Sequence, residues 1–142
     1  MIRVLVVDDH PVVRAGMEAV LRAEPGMVVV GGAVGPHDAL ALVRRTRPDL
    51  VLLDVHLGPH DGLDLCRLLR REPAAPEVLL ISATVDRSLH REALAAGARG
   101  VVGKETDLPE LFDAIRLAAR RRQAALPLTT RWCPRPRTGW RR

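Results

Sequence analysis

The sequence predicts a doubly wound α/β domain, a five-stranded parallel sheet with helices on both faces. Three observations predict it. Short apolar, β-branched runs alternate with amphipathic stretches along most of the 142 residues, the pattern of βα repeats joined by right-handed crossovers. The runs are near-continuously apolar, as a sheet buried on both sides requires. Polar groups with chemistry follow three of them: Asp8-Asp9 after Val4–Val7, Asp54 after Leu50–Leu53, and Lys104 after Gly100–Gly103. Parallel strands bring such residues together at the carboxyl edge of one sheet, where open α/β sheets keep their sites.

The elements follow in order. Ile2–Val7 reads as a buried strand. Over 11–23, Val12, Val13, Met17, Val20 and Leu21 fall at helical spacing, and Pro11 suits a first helical turn. Pro25-Gly26 signals a turn before a second strand, 27–32. Residues 36–46 predict a helix with Asp38 early and arginines late, as the helix dipole favours. Arg47-Pro48-Asp49 separates it from a third strand, Leu50–Leu53. Residues 56–62, rich in Gly and Pro, predict a loop. A helix over 63–71 ends before Pro73 and Pro76. Val78–Ser82 is the fourth strand, 88–96 a helix closed by Gly97, Val101-Val102 a fifth strand, and 108–122 a fifth helix.

Composition narrows the classes. Aromatics are Phe112, Trp132 and Trp140 only, so the core must be aliphatic. No apolar run approaches the roughly 20 residues of a membrane span, and acids interrupt the N-terminal apolar stretch too early for a signal peptide. Cys66 and Cys133 lack metal-type spacing, which suits free thiols in a cytoplasmic protein. The net charge of +5 is unevenly distributed. Residues 1–119 hold 14 basic and 17 acidic residues, whereas 120–142 hold eight arginines and no acid. The segment 123–142 has Pro127, Pro134 and Pro136 and no apolar period. It is expected to be a disordered basic tail, dispensable for the site, able to bind DNA weakly and without sequence preference.

Three carboxylates crowded at one sheet edge repel one another. A divalent cation such as Mg²⁺ among Asp8, Asp9 and Asp54 makes them tolerable. Lys104 is the only lysine of the chain; the other 21 basic residues are arginine. An acidic pair after a strand is by itself often a helix N-cap, and a single acid after a strand carries little. Order and spacing taken together favour a functional cluster. His10 is expected as a loop or capping residue beside the acids, His56 and His60 as exposed loop residues, and Cys66 as packing on a helix face.

These residues resemble the receiver domains of two-component response regulators over 1–122. The resemblance rests on VLVVDDHPVVRAGM, PDLVLLDVHL with the following DGLDL, LLISA ending in Ser82, and ALAAGARGVVGKE containing Lys104. VVDDHPVVRAGM and AAGARG look most like the subfamily with a helix-turn-helix output domain. The resemblance implies a flavodoxin-like sheet of strand order 2-1-3-4-5. It implies that Asp54 accepts a phosphoryl group from a sensor histidine kinase. Asp9, Asp54 and the His56 backbone carbonyl would hold Mg²⁺, with Asp8 acting directly or through water, while Lys104 and Ser82 would contact the phosphoryl oxygens. It implies a non-enzymatic, cytoplasmic switch in transcriptional regulation, with no membrane partner. A phosphorylation-dependent homodimer would form on the fourth helix, fifth strand and fifth helix. Specific DNA contact would need an output domain of roughly 60 further residues, so the chain is either a stand-alone receiver or part of a longer regulator. The sequence departs from the family at Val101, where an aromatic usually reports phosphorylation. It departs again in Leu57-Gly58-Pro59-His60-Asp61-Gly62, where Gly and Pro are exchanged.

Other chemistries fit less well. A haloacid-dehalogenase-type phosphatase needs a second Asp two residues after its nucleophile, where this chain has His10 and His56. A dinucleotide site needs G-x-G-x-x-G after the first strand, where Asp8-Asp9-His10-Pro11 stands. The intact acids and lysine argue against a receiver used only as an interaction scaffold, while Val101 leaves room for it.

Overall fold

The computed structural model describes residues 1–125. Five parallel strands form the sheet: β1 (Ile2–Val7), β2 (Met27–Ala33), β3 (Leu50–Asp54), β6 (Glu77–Ser82) and β7 (Gly100–Gly103), in the order β2-β1-β3-β6-β7. Counted within the sheet alone this is 2-1-3-4-5, the order expected. Five helices connect or flank the strands: α1 (Pro11–Ala23), α2 (Pro36–Thr46), α3 (Gly62–Arg70), α4 (Arg87–Ala95) and α5 (Leu108–Ala125).

Alternation along the strands builds two cores. Leu5, Val7, Val51, Leu53, Val78 and Leu80 face the layer of α2, α3 and α4, packing on Val43, Leu65, Cys66, Leu69 and Ala93. Val4, Val6, Leu50, Leu52, Leu79 and Ile81 face α1 and α5, packing on Leu21, Leu111, Phe112 and Ile115. Aliphatic side chains fill both layers, and Phe112 is their sole aromatic. The C-terminal side of α1 is tied to α5 by Arg116, whose guanidinium pairs with Glu24 and reaches the Pro25 carbonyl at 3.5 Å.

Two expectations need correction. Residues 56–62 are not a plain loop: β4 (His56–Leu57) and β5 (His60–Asp61) form a small antiparallel hairpin. Leu57, 1% exposed, drives it by entering the core. The fifth helix passes Arg122 and is helical through Ala125, the last described residue, because Gln123-Ala124-Ala125 are good helix formers. The remainder of the expected tail, 126–142, lies outside the described residues.

Ile115 is fully buried on the α5 side of the sheet, whereas Leu117 is 65% exposed on the same helix. Ile115→Ala is expected to cost about 2–5 kcal/mol of unfolding free energy, and Leu117→Ala under about 0.5 kcal/mol. Urea midpoints of the two variants check this; equal losses would contradict the packing described.

Candidate functional site

Every strand that supplies the site ends at the same edge. Asp54 is the last residue of β3, Asp8 and Asp9 follow β1, Ser82 ends β6, and Lys104 follows β7. The parallel sheet therefore does what the sequence pattern implied. Asp8 and Asp54 are buried, at 5% and 2% exposure, and Asp9 is half-buried. Acid ligand atoms of Asp8, Asp9 and Asp54, with a ring nitrogen of His10, lie within 4.8 Å of one another. Among the described residues this is the one such group of three or more potential metal ligands.

The charges are only partly compensated. Lys104 Nζ donates to Asp54 Oδ2 at 2.8 Å and stands 3.9 Å from Asp8 Oδ2. The other Asp54 oxygen accepts the His56 backbone N–H at 3.0 Å. In the same manner Asp8 Oδ1 accepts the His10 N–H at 2.8 Å. Burial pushes the Asp8 carboxyl above its ordinary range and the charge of Asp54 adds to this, against the opposing His10 N–H and Lys104. For Lys104, burial works against the charged form, but the hydrogen bond and charge of Asp54, helped by Asp8 and Asp9, outweigh it and raise the ammonium. Asp9 Oδ1 is shielded from solvent and accepts no hydrogen bond. Its neighbour is the His10 ring, with Nδ1 at 3.1 Å.

His10 is a capping residue beside the acids, as expected. It occupies the N-cap of α1 without a side-chain capping bond, and its ring turns to the acids instead. His56 and His60 are exposed as expected, on facing strands of the hairpin. Cys66 is fully buried on α3, its thiol pushed up to about 11 by desolvation; it is packing. Ser82 lies at the edge, but its Oγ donates to the Thr84 carbonyl at 2.8 Å rather than to an acid.

Gly62 is a site residue that residue-type reasoning missed. A Cβ there would overlap the Asp54 carbonyl oxygen and come within 2.8 Å of Val55 Cα. Its N–H donates to the Val55 carbonyl at 2.7 Å, and Asp61 caps α3 through Leu63 N at 2.8 Å. The Asp61-Gly62 pair after the loop was the available signal. Gly58, at φ +61°, makes the hairpin turn in which a side chain would press on Asp9 Oδ2 at 3.1 Å.

The acids line no substrate-sized cavity: the hollow beside Asp8 and Asp54 measures about 10 Å³. A wider groove of about 520 Å³ lies alongside, between the hairpin and α4, and is lined by His56, His60, Ser82, Thr84, Asp86 and Leu89. A buried carboxylate at the sheet edge, held by one amine and flanked by two further acids, suits a nucleophile that works with a cation.

Comparison with known proteins agrees. The sequence pattern of the response regulator receiver domain matches residues 4–116. The transcriptional regulatory protein LiaR of Bacillus subtilis is 32% identical over 120 residues, covering 84% of this chain and 57% of LiaR. The response regulator GacA of Pseudomonas protegens is 38% identical, covering 82% of this chain and 55% of GacA. This chain therefore spans a little over half the length of these relatives. A solved LuxR-family two-component response regulator from Aurantimonas is 34% identical, with TM-score 0.79, over 84% of this chain and 85% of that one.

Because the net cost of ionising Asp8 arises from burial and Asp54, neutralising it should stabilise the metal-free protein. A folded-state pKa raised above the ordinary 3.8 means stability is full below 3.8 and lost as pH rises through the raised value. Metal-free Asp8→Asn is expected to melt roughly 3 °C or more above wild type near neutral pH, with the gap closing as pH falls toward 3.8. Calorimetry across that range checks it; a variant melting below wild type at neutral pH would show an unstrained pocket.

Proposed function

The chain belongs to the receiver domains of two-component response regulators, and on that premise we propose that Asp54 accepts a phosphoryl group from a phosphohistidine of a sensor histidine kinase. The observation that carries the reading is the Asp54 carboxylate itself, buried at the sheet edge and anchored by Lys104 at 2.8 Å. A carboxylate oxygen attacks phosphorus, the N–P bond breaks, and an acyl phosphate forms on Asp54. The His56 N–H and Lys104 fix the carboxylate before attack, which removes most of its rotational freedom.

The acidic residues fit a hard divalent cation. They offer oxygen donors close together, and Asp9 Oδ1 is a shielded acceptor with no hydrogen bond. Asp9, Asp54 and the His56 carbonyl would hold Mg²⁺, with Asp8 directly or through water; Mg²⁺ retains several waters, so few carboxylates suffice. The bound ion supplies charge neutralisation for the transferring phosphoryl group. Lys104 is placed to exchange a carboxylate oxygen for a phosphoryl oxygen.

The switch proceeds from Ser82. To hydrogen-bond the phosphoryl group its hydroxyl must leave the Thr84 carbonyl, which releases the segment leading to Asp86, the N-cap of α4. Val101 offers no aromatic ring to follow that movement. The α4–β7–α5 face nevertheless exposes Leu94 and Leu117, at 49% and 65%, and is the surface on which phosphorylation would change self-association. LiaR is a transcriptional regulatory protein, which supports a transcriptional output; specific DNA contact would need an output domain. Among the described residues no helix is long and apolar enough to cross a membrane.

With acetyl phosphate and Mg²⁺, intact mass is expected to show one added phosphoryl group on wild type and none on Asp54→Asn or in excess chelator. Equal modification of wild type and Asp54→Asn would remove Asp54 from the role. Sedimentation with and without beryllofluoride is expected to show a shift toward dimer; an unchanged distribution would deny the α4–β7–α5 face that output.

A further inference from the structure

The backbone of Asp8 is held from outside the acidic pocket on both sides, its N–H by β2 and its carbonyl, in the peptide joining it to Asp9, by α1. The Asp8 N–H donates to the Ala33 carbonyl on β2 at 3.0 Å. The Asp8 carbonyl accepts Nη1 of Arg14, from the first turn of α1, at 2.9 Å. Arg14 is itself confined: its side chain is 22% exposed, and Nε lies 3.8 Å from Glu18 Oε2 one turn further along the helix. Glu18 is braced from its other oxygen by Arg22 at 3.5 Å.

The space that Glu18 and Arg14 occupy exists because Gly32 has no side chain. A Cβ on Gly32 would overlap Glu18 Oε2 and stand 3.2 Å from Arg14 Cδ. The end of β2, the Glu18 carboxylate, the Arg14 guanidinium and the Asp8 carbonyl thus form one continuous line of contacts ending at the acids. None of these side chains reaches the reacting oxygen of Asp54 or serves as a metal ligand in the chemistry above. An i,i+4 pair of Glu and Arg on a helix is ordinarily a weak surface feature. Here the arginine is mostly covered and spends a donor on a backbone carbonyl beside a cation-binding carboxylate.

We propose that Arg14 is a positioning residue for the acidic pocket: it fixes the Asp8–Asp9 peptide and so holds the Asp9 carboxylate in its cation-binding direction, with Glu18 over Gly32 holding Arg14 in turn. The inference rests on the reading of the pocket as a Mg²⁺ site. The physical reason is general. The Asp9 side chain departs from that peptide, so fixing the peptide narrows the directions open to its carboxylate, and losing a group that orients a ligand without touching the metal costs roughly 10- to 100-fold in affinity.

The test is Mg²⁺ titration by calorimetry on the full chain, without phosphodonor, with melting temperature measured in chelator. Arg14→Ala is expected to weaken Mg²⁺ binding roughly ten-fold or more, while the metal-free melting temperature moves by only a few degrees. Arg14→Lys, with one donor in place of a fork, should fall between Ala and wild type, and it carries the test if Arg14→Ala does not fold. Gly32→Ala, which displaces Glu18, should weaken binding in the same direction. Because it acts through Arg14, it should add little in the Gly32→Ala/Arg14→Ala double variant. Unchanged affinity in Arg14→Ala, or full additivity of the two substitutions, overturns the role. Wild type that takes up no Mg²⁺ overturns instead the reading of the pocket on which the role rests.

Discussion

The Asp54–Lys104 contact is the interaction on which the site depends. A carboxylate at 2% exposure would be costly to keep ionised without a partner, and its nearest ionised neighbours beyond Lys104 are further acids. One ammonium at 2.8 Å from Asp54 and 3.9 Å from Asp8 serves both. The two carboxylates come from different strands, and the lysine from a third. None of the three could be placed by local structure alone. Only a parallel sheet, with all its carboxyl ends at one edge, brings them within ion-pairing range. The aliphatic core is therefore in the service of an electrostatic arrangement, and its register sets the distances.

Backbone groups complete that arrangement. Asp8 and Asp54 each accept the N–H two residues ahead, from His10 and His56, at 2.8 and 3.0 Å. Each bond aims its carboxylate along the sheet edge and frees the next side chain to point elsewhere. Gly62 serves the same end by omission, since any Cβ there would strike the Asp54 carbonyl. The hairpin of β4 and β5 begins from this close approach, with buried Leu57 as its anchor. In the order Gly58-Pro59, Gly58 takes the positive φ and Pro59 follows it in the turn.

Most of the fold was legible in the sequence because the signals were periodic. The strands read as apolar runs, and α1 and α2 were bounded by Pro11 and Pro36 and by the segments Pro25-Gly26 and Arg47-Pro48, so their limits could be stated closely. Asp8, Asp9, Asp54 and Lys104 were legible because each sits at the end of a run. What was not legible depends on contacts between distant segments. The His10 ring turning to the acids, the two-residue strands around Gly58 and the closeness of Gly62 to Asp54 leave no period in the sequence. Arg14 is a further case. Its place in a helical pattern says nothing of a partner, and only the turn of the chain from β1 into α1 brings it to the Asp8 carbonyl. The arginines at 120–122 suit a helix C-terminus, yet helix propensity carries α5 past them through Ala125, the last described residue.

The lack of an aromatic at Val101 looks at first like a broken switch, yet the backbone offers another coupling. Lys104 N–H donates to the Ser82 carbonyl at 2.8 Å, and Ser82 pairs with Gly103 in the β6–β7 register. The two residues proposed to meet the phosphoryl oxygens are thus joined through one backbone hydrogen bond. A pull on the Ser82 hydroxyl breaks its link to Thr84 and is resisted at the same residue by the strand end that carries Lys104. The loop leading to Asp86 is the softer side of that balance. It runs through exposed Ala83, Thr84 and Val85, whereas β7 is held in the sheet. Under the proposed switch, movement would be directed toward the cap of α4, and a ring at position 101 would report that movement without being its source.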